Sequence, residues 1–144
     1  MKFTNEFDQI RQWAYDRGIY QSGDVKTQLI KLQEEVGELA EAVLANNRAE
    51  VVDAIGDCVI VLTNLARLAE QHFCDNCAEC RGIGGELSDD VESGGMKGFI
   101  ACKSCRTISI EDCINQAFNE IKNRAGIMDN GTFKKDEDDP IFKF

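Results

Sequence analysis

The segment "AEVVDAIGDCVIVLTNLARLAEQH", residues 49–72, constrains this chain more than any other. From Val51 to Leu68 it is apolar nearly all the way round. Such a helix must be buried on most sides, in the middle of a helical bundle or at an oligomer interface. Two aspartates interrupt it. Asp53 and Asp57 stand at i and i+4 on one helical face, and Glu50 falls within about 60° of both on the wheel. A buried carboxylate is costly enough that it protonates, pairs with a base or binds a cation. No Lys or Arg lies between Val51 and Ala66 to serve as the base.

The preceding segment offers a second acidic seam. Asp24 can cap a helix running from about Val25 to Leu44. Its apolar stripe is Leu29, Leu32, Val36, Leu39 and Val43, stepping by three and four as a packed face does. Within "KLQEEVGELAEAV", Glu35 falls about 60° from the stripe centre and Glu38 about 60° further round, whereas Glu34 and Glu41 face solvent. Gln28 and Lys31 share the border with Glu35 and Glu38. If the two helices pack antiparallel across "ANNR", the seams can meet, with Gly37 and Gly56 letting the backbones approach. Oxygen donors without imidazole or thiolate favour Mg²⁺, or Mn²⁺, over zinc. The bland alternative is an ordinary solvated acidic face.

Residues 4–17 form a first helix through Phe7, Ile10, Trp13 and Ala14, stopped by Gly18. A last helix begins after Ser109, carries Ile110, Cys113, Ile114, Phe118 and Ile121, and ends at Gly126. Asn130-Gly131 marks a tight turn, followed by an acidic tail. The length of 144 residues suits one main domain with a small insertion. The net charge of −10 argues against nucleic acid as a partner. With no signal core and no bilayer-length apolar run, the expected location is the cytoplasm.

In a reducing compartment seven cysteines point to metal rather than disulfides. Residues 73–107 lose helical periodicity and carry Cys77-x-x-Cys80 and Cys102-x-x-Cys105, with 21 residues between the knuckles. That is the spacing of a four-thiolate zinc ribbon, in which Cys74 competes for a place in the first knuckle. A closed Cys₄ site folds the insertion and leaves no open position for catalysis. Cys58 and Cys113 read as small core residues.

"KLQEEVGELAEAV" followed by "EVVDAIGDCVIVL" resembles the MazG-like nucleoside triphosphate pyrophosphohydrolases. "WAYDRGIY" and "AFNEIKNRAGIMDNGTF" are similar to the first helix and the C-terminal helix and turn of small phage-encoded members. The resemblance implies an all-α antiparallel bundle acting as a homodimer or homotetramer, in the host cytoplasm if phage-encoded. It implies Mg²⁺-dependent cleavage of an NTP or dNTP into monophosphate and pyrophosphate. Glu35 and Glu38 take the metal-ligand places of the first motif and Asp57 the Asp of the second. The acidic place before Asp57 is Ala54 here, so Glu50, Asp53 and Asp57 all stay as candidate ligands.

Phosphoanhydride hydrolysis needs charge neutralisation, a positioned water and a base. Glu34 or Glu38 could be that base. Lys31, Lys122 and Arg124 are candidate phosphate contacts, each weighed against a plain surface cation. Gln28 borders the same seam, and Trp13 could stack on a base, although core packing competes for it. The alternative function is a non-catalytic zinc-ribbon adaptor or regulator on a helical oligomer. A di-iron carboxylate bundle would need Glu-x-x-His pairs, and the chain has one histidine.

Overall fold

In the computed structural model the described residues are 4–81, 85–87, 99–102 and 108–135. Cys105 and the acidic tail beyond residue 135 lie outside them, as does most of the insertion. The chain divides into two compact units, Met1–Ile110 and Glu111–Phe144.

The first unit is helical. Helix α1 spans Thr4–Asp16 and buries Phe7 and Ala14, one heptad apart. Gly18 stops it with a left-handed backbone, φ +74°, which L side chains rarely adopt. A short helix α2, Ile19–Ser22, follows. One helical turn is too short to show a period, so no separate helix is legible here in the sequence.

Helix α3, Val25–Leu44, starts where Asp24 caps it. Asp24 Oδ1 accepts from the backbone N–H groups of Lys26 and Thr27 at 2.9 and 3.0 Å, and the Thr27 hydroxyl donates to Oδ2 at 2.6 Å. These bonds favour the charged carboxylate, and they hold its pKa below the ordinary value, the Thr27 hydroxyl contributing most.

The turn into helix α4, Arg48–Asp75, is also local chemistry. Asn46 takes a left-handed φ of +52°. Its N–H bonds the Val43 carbonyl at 3.1 Å and the Asn47 N–H bonds the Ala42 carbonyl at 3.0 Å. That pair of bonds is a Schellman closure of α3. Asn47 then caps α4, its Oδ1 accepting from the Glu50 N–H at 3.4 Å. So short a turn makes α3 and α4 antiparallel neighbours, and α1 and α2 both pack on α4.

Burial corrects the expected stripe of α3. The residues turned toward the interior are Gln28, Leu32, Glu35, Leu39 and Ala42, while Leu29, Val36 and Val43 are exposed. The inward face is thus rotated toward Glu35, because small Ala42 admits α4 more closely than branched Val43 would. On α4 the exposed Val52, Ile55, Val59 and Leu62 form a matching outer stripe beside the buried Ala54, Val61 and Leu68. Gly37 and Gly56 were expected between the helices. Both are exposed, and a Cβ on either would meet nothing within 4 Å.

Helix α4 runs three residues past His72, carrying Phe73 and Cys74 into its last turn. Strands β1, Gly85–Leu87, and β2, Phe99–Ala101, pair antiparallel with Gly85 opposite Ala101. This hairpin returns the chain to Cys102. Among the described residues no helix is long and apolar enough to cross a membrane.

The second unit holds the rest of helix α5, Ile110–Ile121, and strands β3, Gly126–Asp129, and β4, Thr132–Lys135. The helix ends before the expected Gly126, which opens a strand instead. Asn130 and Gly131 both have positive φ, +49° and +77°, the requirement of a two-residue type I′ hairpin. Cys113 is exposed rather than part of a core.

Candidate functional site

Glu35 is the most informative acidic residue. It is 5 % exposed on the face of α3 that meets α4. Its position is nine residues from the C-terminal end of α3, and Asp57 is nine residues from the start of α4. In an antiparallel pair joined by a tight turn these two stand at the same height. The Gln28 side-chain amide donates to the Val61 carbonyl at a long 3.5 Å, tying the two helices together two turns from Glu35 and one turn from Asp57. Asp57 is half-buried, whereas Glu38, Glu50 and Asp53 are exposed on the flank beside it.

The buried carboxylate of Glu35 has a cationic partner from its own helix. Lys31 Nζ lies 2.7 Å from Glu35 Oε1 and 3.2 Å from Glu34 Oε2. Glu35 first and Glu34 second push the Lys31 pKa up, so the ammonium is charged throughout the physiological range. No three carboxylates of the seam come within 4.8 Å of one another among the described residues. Anions in such a cluster repel at close range, and here an ammonium sits where the negative charge is densest. The seam thus holds one buried carboxylate paired with Lys31, the half-buried Asp57 and the exposed Glu38, Glu50 and Asp53, all of them oxygen donors of the kind a hard divalent ion takes.

Trp13 is not a core residue: it is 43 % exposed, and the Arg17 guanidinium lies 4.5 Å from its ring centroid. Its other side lines a cleft of about 430 Å³ with Glu6, Gln9, Ile10 and Ile60. Ile60 is one helical turn beyond Asp57, so this cleft opens beside the acidic flank. Ile10 and Ile60 were read from the sequence only as packing residues, because an apolar cleft wall and an apolar core look the same in periodicity.

Lys122 and Arg124 belong to the second unit. Lys122 Nζ donates to Asn119 Oδ1 at 2.9 Å, and the buried Arg124 Nε has no hydrogen-bond partner.

The cysteines form a second centre. The Sγ atoms of Cys77, Cys80 and Cys102 all lie within 4.8 Å of one another. Cys77 and Cys102 are 3.7 Å apart, and Cys74 approaches Cys80 at 3.9 Å from outside the trio. These separations are far longer than the about 2.05 Å of a disulfide. They match the edge of about 3.8 Å that four thiolates make around one zinc at about 2.3 Å. Residues from the two predicted knuckles therefore do converge, with Cys105 outside the described residues.

The first unit is thus built on an antiparallel helical hairpin whose seam and flank are rich in carboxylates. Residues 24–74 match the MazG nucleotide pyrophosphohydrolase domain. Over 70 residues the chain is 43 % identical to an "uncharacterized 18.2 kDa protein in rep-hol intergenic region" of Haemophilus phage HP1 (strain HP1c1). That alignment covers 49 % of this chain and 41 % of the phage protein, so the chain matches about two-fifths of that relative's length. No solved structure matches the chain. From the cap of α3 to the end of α4 the chain is MazG-like.

Proposed function

We propose that this protein hydrolyses nucleoside or deoxynucleoside triphosphates at the α–β phosphoanhydride, giving the monophosphate and pyrophosphate. What supports the reading is the MazG match over residues 24–74, with Glu35 and Asp57 each nine residues from the α3–α4 turn. Glu35, Glu38, Glu50, Asp53 and Asp57 would hold the divalent ion. When bound, Mg²⁺ or Mn²⁺ supplies charge neutralisation on the triphosphate and acidifies a water.

The chain's own groups do the rest. Glu34 or Glu38 takes the proton of the attacking water as general base. Lys31, whose ammonium is held in place by two carboxylates, meets a phosphate oxygen, and Gln28 orients it. Trp13 stacks the base in the cleft beside Ile60. Cys77, Cys80, Cys102 and Cys105, with Cys74 as the alternative, hold a structural zinc. A second copy, as homodimer or homotetramer, covers the exposed stripes of α3 and α4.

The test is a panel of NTPs and dNTPs with Mg²⁺, read for monophosphate and pyrophosphate. Glu38→Gln and Asp57→Asn should each abolish turnover with helicity unchanged. Full activity in both variants, or orthophosphate as the product, refutes the assignment.

A further inference from the structure

A cleft of about 510 Å³ opens between α1, α2 and α4, and it is used by no part of the reaction above. Arg11 and Arg67 line it, together with Asp8, Gln12, Gln71, Tyr15 and Tyr20. A smaller neighbouring cleft of about 260 Å³ shares the same two arginines, so both guanidiniums stand on the wall between two openings. In a chain of net charge −10, two guanidiniums from different helices meet on one cleft wall, each balanced by a carboxylate of its own helix.

The surroundings hold these cations in position. Arg11 is braced by Asp8 at 2.6 Å and Arg67 by Glu70 at 2.6 Å, each three residues away on its own helix. The Tyr20 hydroxyl donates to Asn64 Oδ1 at 2.8 Å, and Asn64 is 2 % exposed, so the phenol on the cleft wall is fixed from behind. Burial pushes the Tyr20 pKa up, and Arg11 and then Arg67 pull it back, so both positive charges are felt at one hydroxyl. Arg67 follows Asp57 by ten residues, which is about 15 Å along α4, so the cleft is set apart from the acidic seam.

We propose that this cleft is an anion site for a phosphomonoester, with Arg11 and Arg67 on the phosphate, and that its ligand is a nucleoside monophosphate. A phosphomonoester carries close to two negative charges at neutral pH, matching two guanidiniums whose forked donors suit its oxygens. The volume is larger than a bare phosphate requires and lies within the range of small-molecule sites. The exposed ring of Tyr15 gives a base a surface to lie on, and the Gln12 and Gln71 amides, whose nitrogens donate to Asp16 at 2.8 Å and Asp75 at 2.7 Å, have oxygens left to accept. The site stands whether or not the chain hydrolyses nucleotides.

The test is calorimetric titration of the full chain in buffer without added divalent ions, where the acidic seam has no metal to recruit phosphate. Adenosine and uridine monophosphates, their nucleosides and inorganic phosphate are the probes. At least one monophosphate should bind, the nucleosides should not, and inorganic phosphate should bind at least tenfold more weakly. Arg67→Gln should weaken the monophosphate at least tenfold. Gln71→Glu should do the same by charge alone, since Gln71 is exposed and outside both arginine pairs. The proposal is overturned if neither monophosphate binds, if inorganic phosphate binds as tightly, or if both variants bind like the parent.

Discussion

Replacing Glu35 with Gln separates a metal ligand from a structural ion pair. The substitution keeps the shape and an oxygen that can accept from Lys31 Nζ, now 2.7 Å away, but removes the negative charge. Lys31 keeps Glu34 at 3.2 Å and is nearly half exposed, so solvent screens most of the lost attraction. The direct cost in stability is therefore about 1 kcal/mol, that of one charge-assisted hydrogen bond in a partly wet site. Metal binding has a larger signature. An ion that binds only the folded chain, supplied at about 100 times its dissociation constant, adds about 2.7 kcal/mol. At about 3–5 °C per kcal/mol for a chain of this size, Mg²⁺ should raise the parent Tm by roughly 10 °C. The assay is a thermal melt with and without Mg²⁺. In Glu35→Gln the rise should shrink to a small fraction of the parent's. The control Glu41→Gln, an exposed residue on the outer side of α3, should keep it. A full Mg²⁺-dependent rise in Glu35→Gln refutes the ligand role and leaves Glu35 as the partner of Lys31 alone.

Three further outcomes follow from contacts already described. Tyr20→Phe leaves the buried Asn64 side-chain oxygen without its donor, a loss of about 1–3 kcal/mol that a melt should report as roughly 3–15 °C; an unchanged Tm would mean water replaces the phenol. Asp24 has a folded-state pKa below its unfolded one, so its contribution is present above the unfolded value and is lost as pH falls through the folded value. Acid titration should therefore weaken the parent more than Asp24→Asn below about pH 4, and parallel curves would contradict the cap's role. Metal analysis of protein purified under reducing conditions should find one zinc per chain, and Cys77→Ser should lower that value while preserving the helicity of α3 and α4. A parent without zinc would contradict the thiolate site.

The acidic residues were legible as a set, but their orientation was not. The helical wheel places Glu35 on the border because the stripe Leu29, Leu32, Val36, Leu39 and Val43 is read with Leu32 at its centre. The structure centres the interior on Gln28, Glu35 and Ala42 instead. Sequence periodicity shows that a helix has an apolar face without saying whether that face is covered by the same chain. The Asp24 cap, the αL stop at Gly18 and the Asn130-Gly131 turn were readable because each depends on a few adjacent residues. The Asn46–Asn47 closure is equally local, but an Asn-Asn pair also fits an ordinary loop. The knuckle pairing was readable from the Cys spacing, which is nearly independent of tertiary packing. The Arg11–Arg67 cleft was invisible: those residues are 56 positions apart and come together only when α1 packs on α4.

The same helical hairpin explains why the acidic and apolar residues do not interfere. Measured from the inward face of α3, Leu29, Val36 and Val43 lie about 100° round in one sense, while Lys31, Glu34 and Glu38 lie up to about 100° in the other. On α4, Ile55, Val59 and Leu62 lie about 100° in the first sense, with Glu50, Asp53 and Asp57 in the second. Reversing a helix end to end and turning it to face its neighbour are two mirror-like changes that cancel. Equal senses on antiparallel partners therefore point to the same side of the pair. One flank of the hairpin is consequently a continuous apolar strip, and the other collects the carboxylates. Each helix carries both kinds of residue, and dividing them between opposite flanks lets the apolar strip be covered without burying the carboxylates or closing the Trp13 cleft beside them.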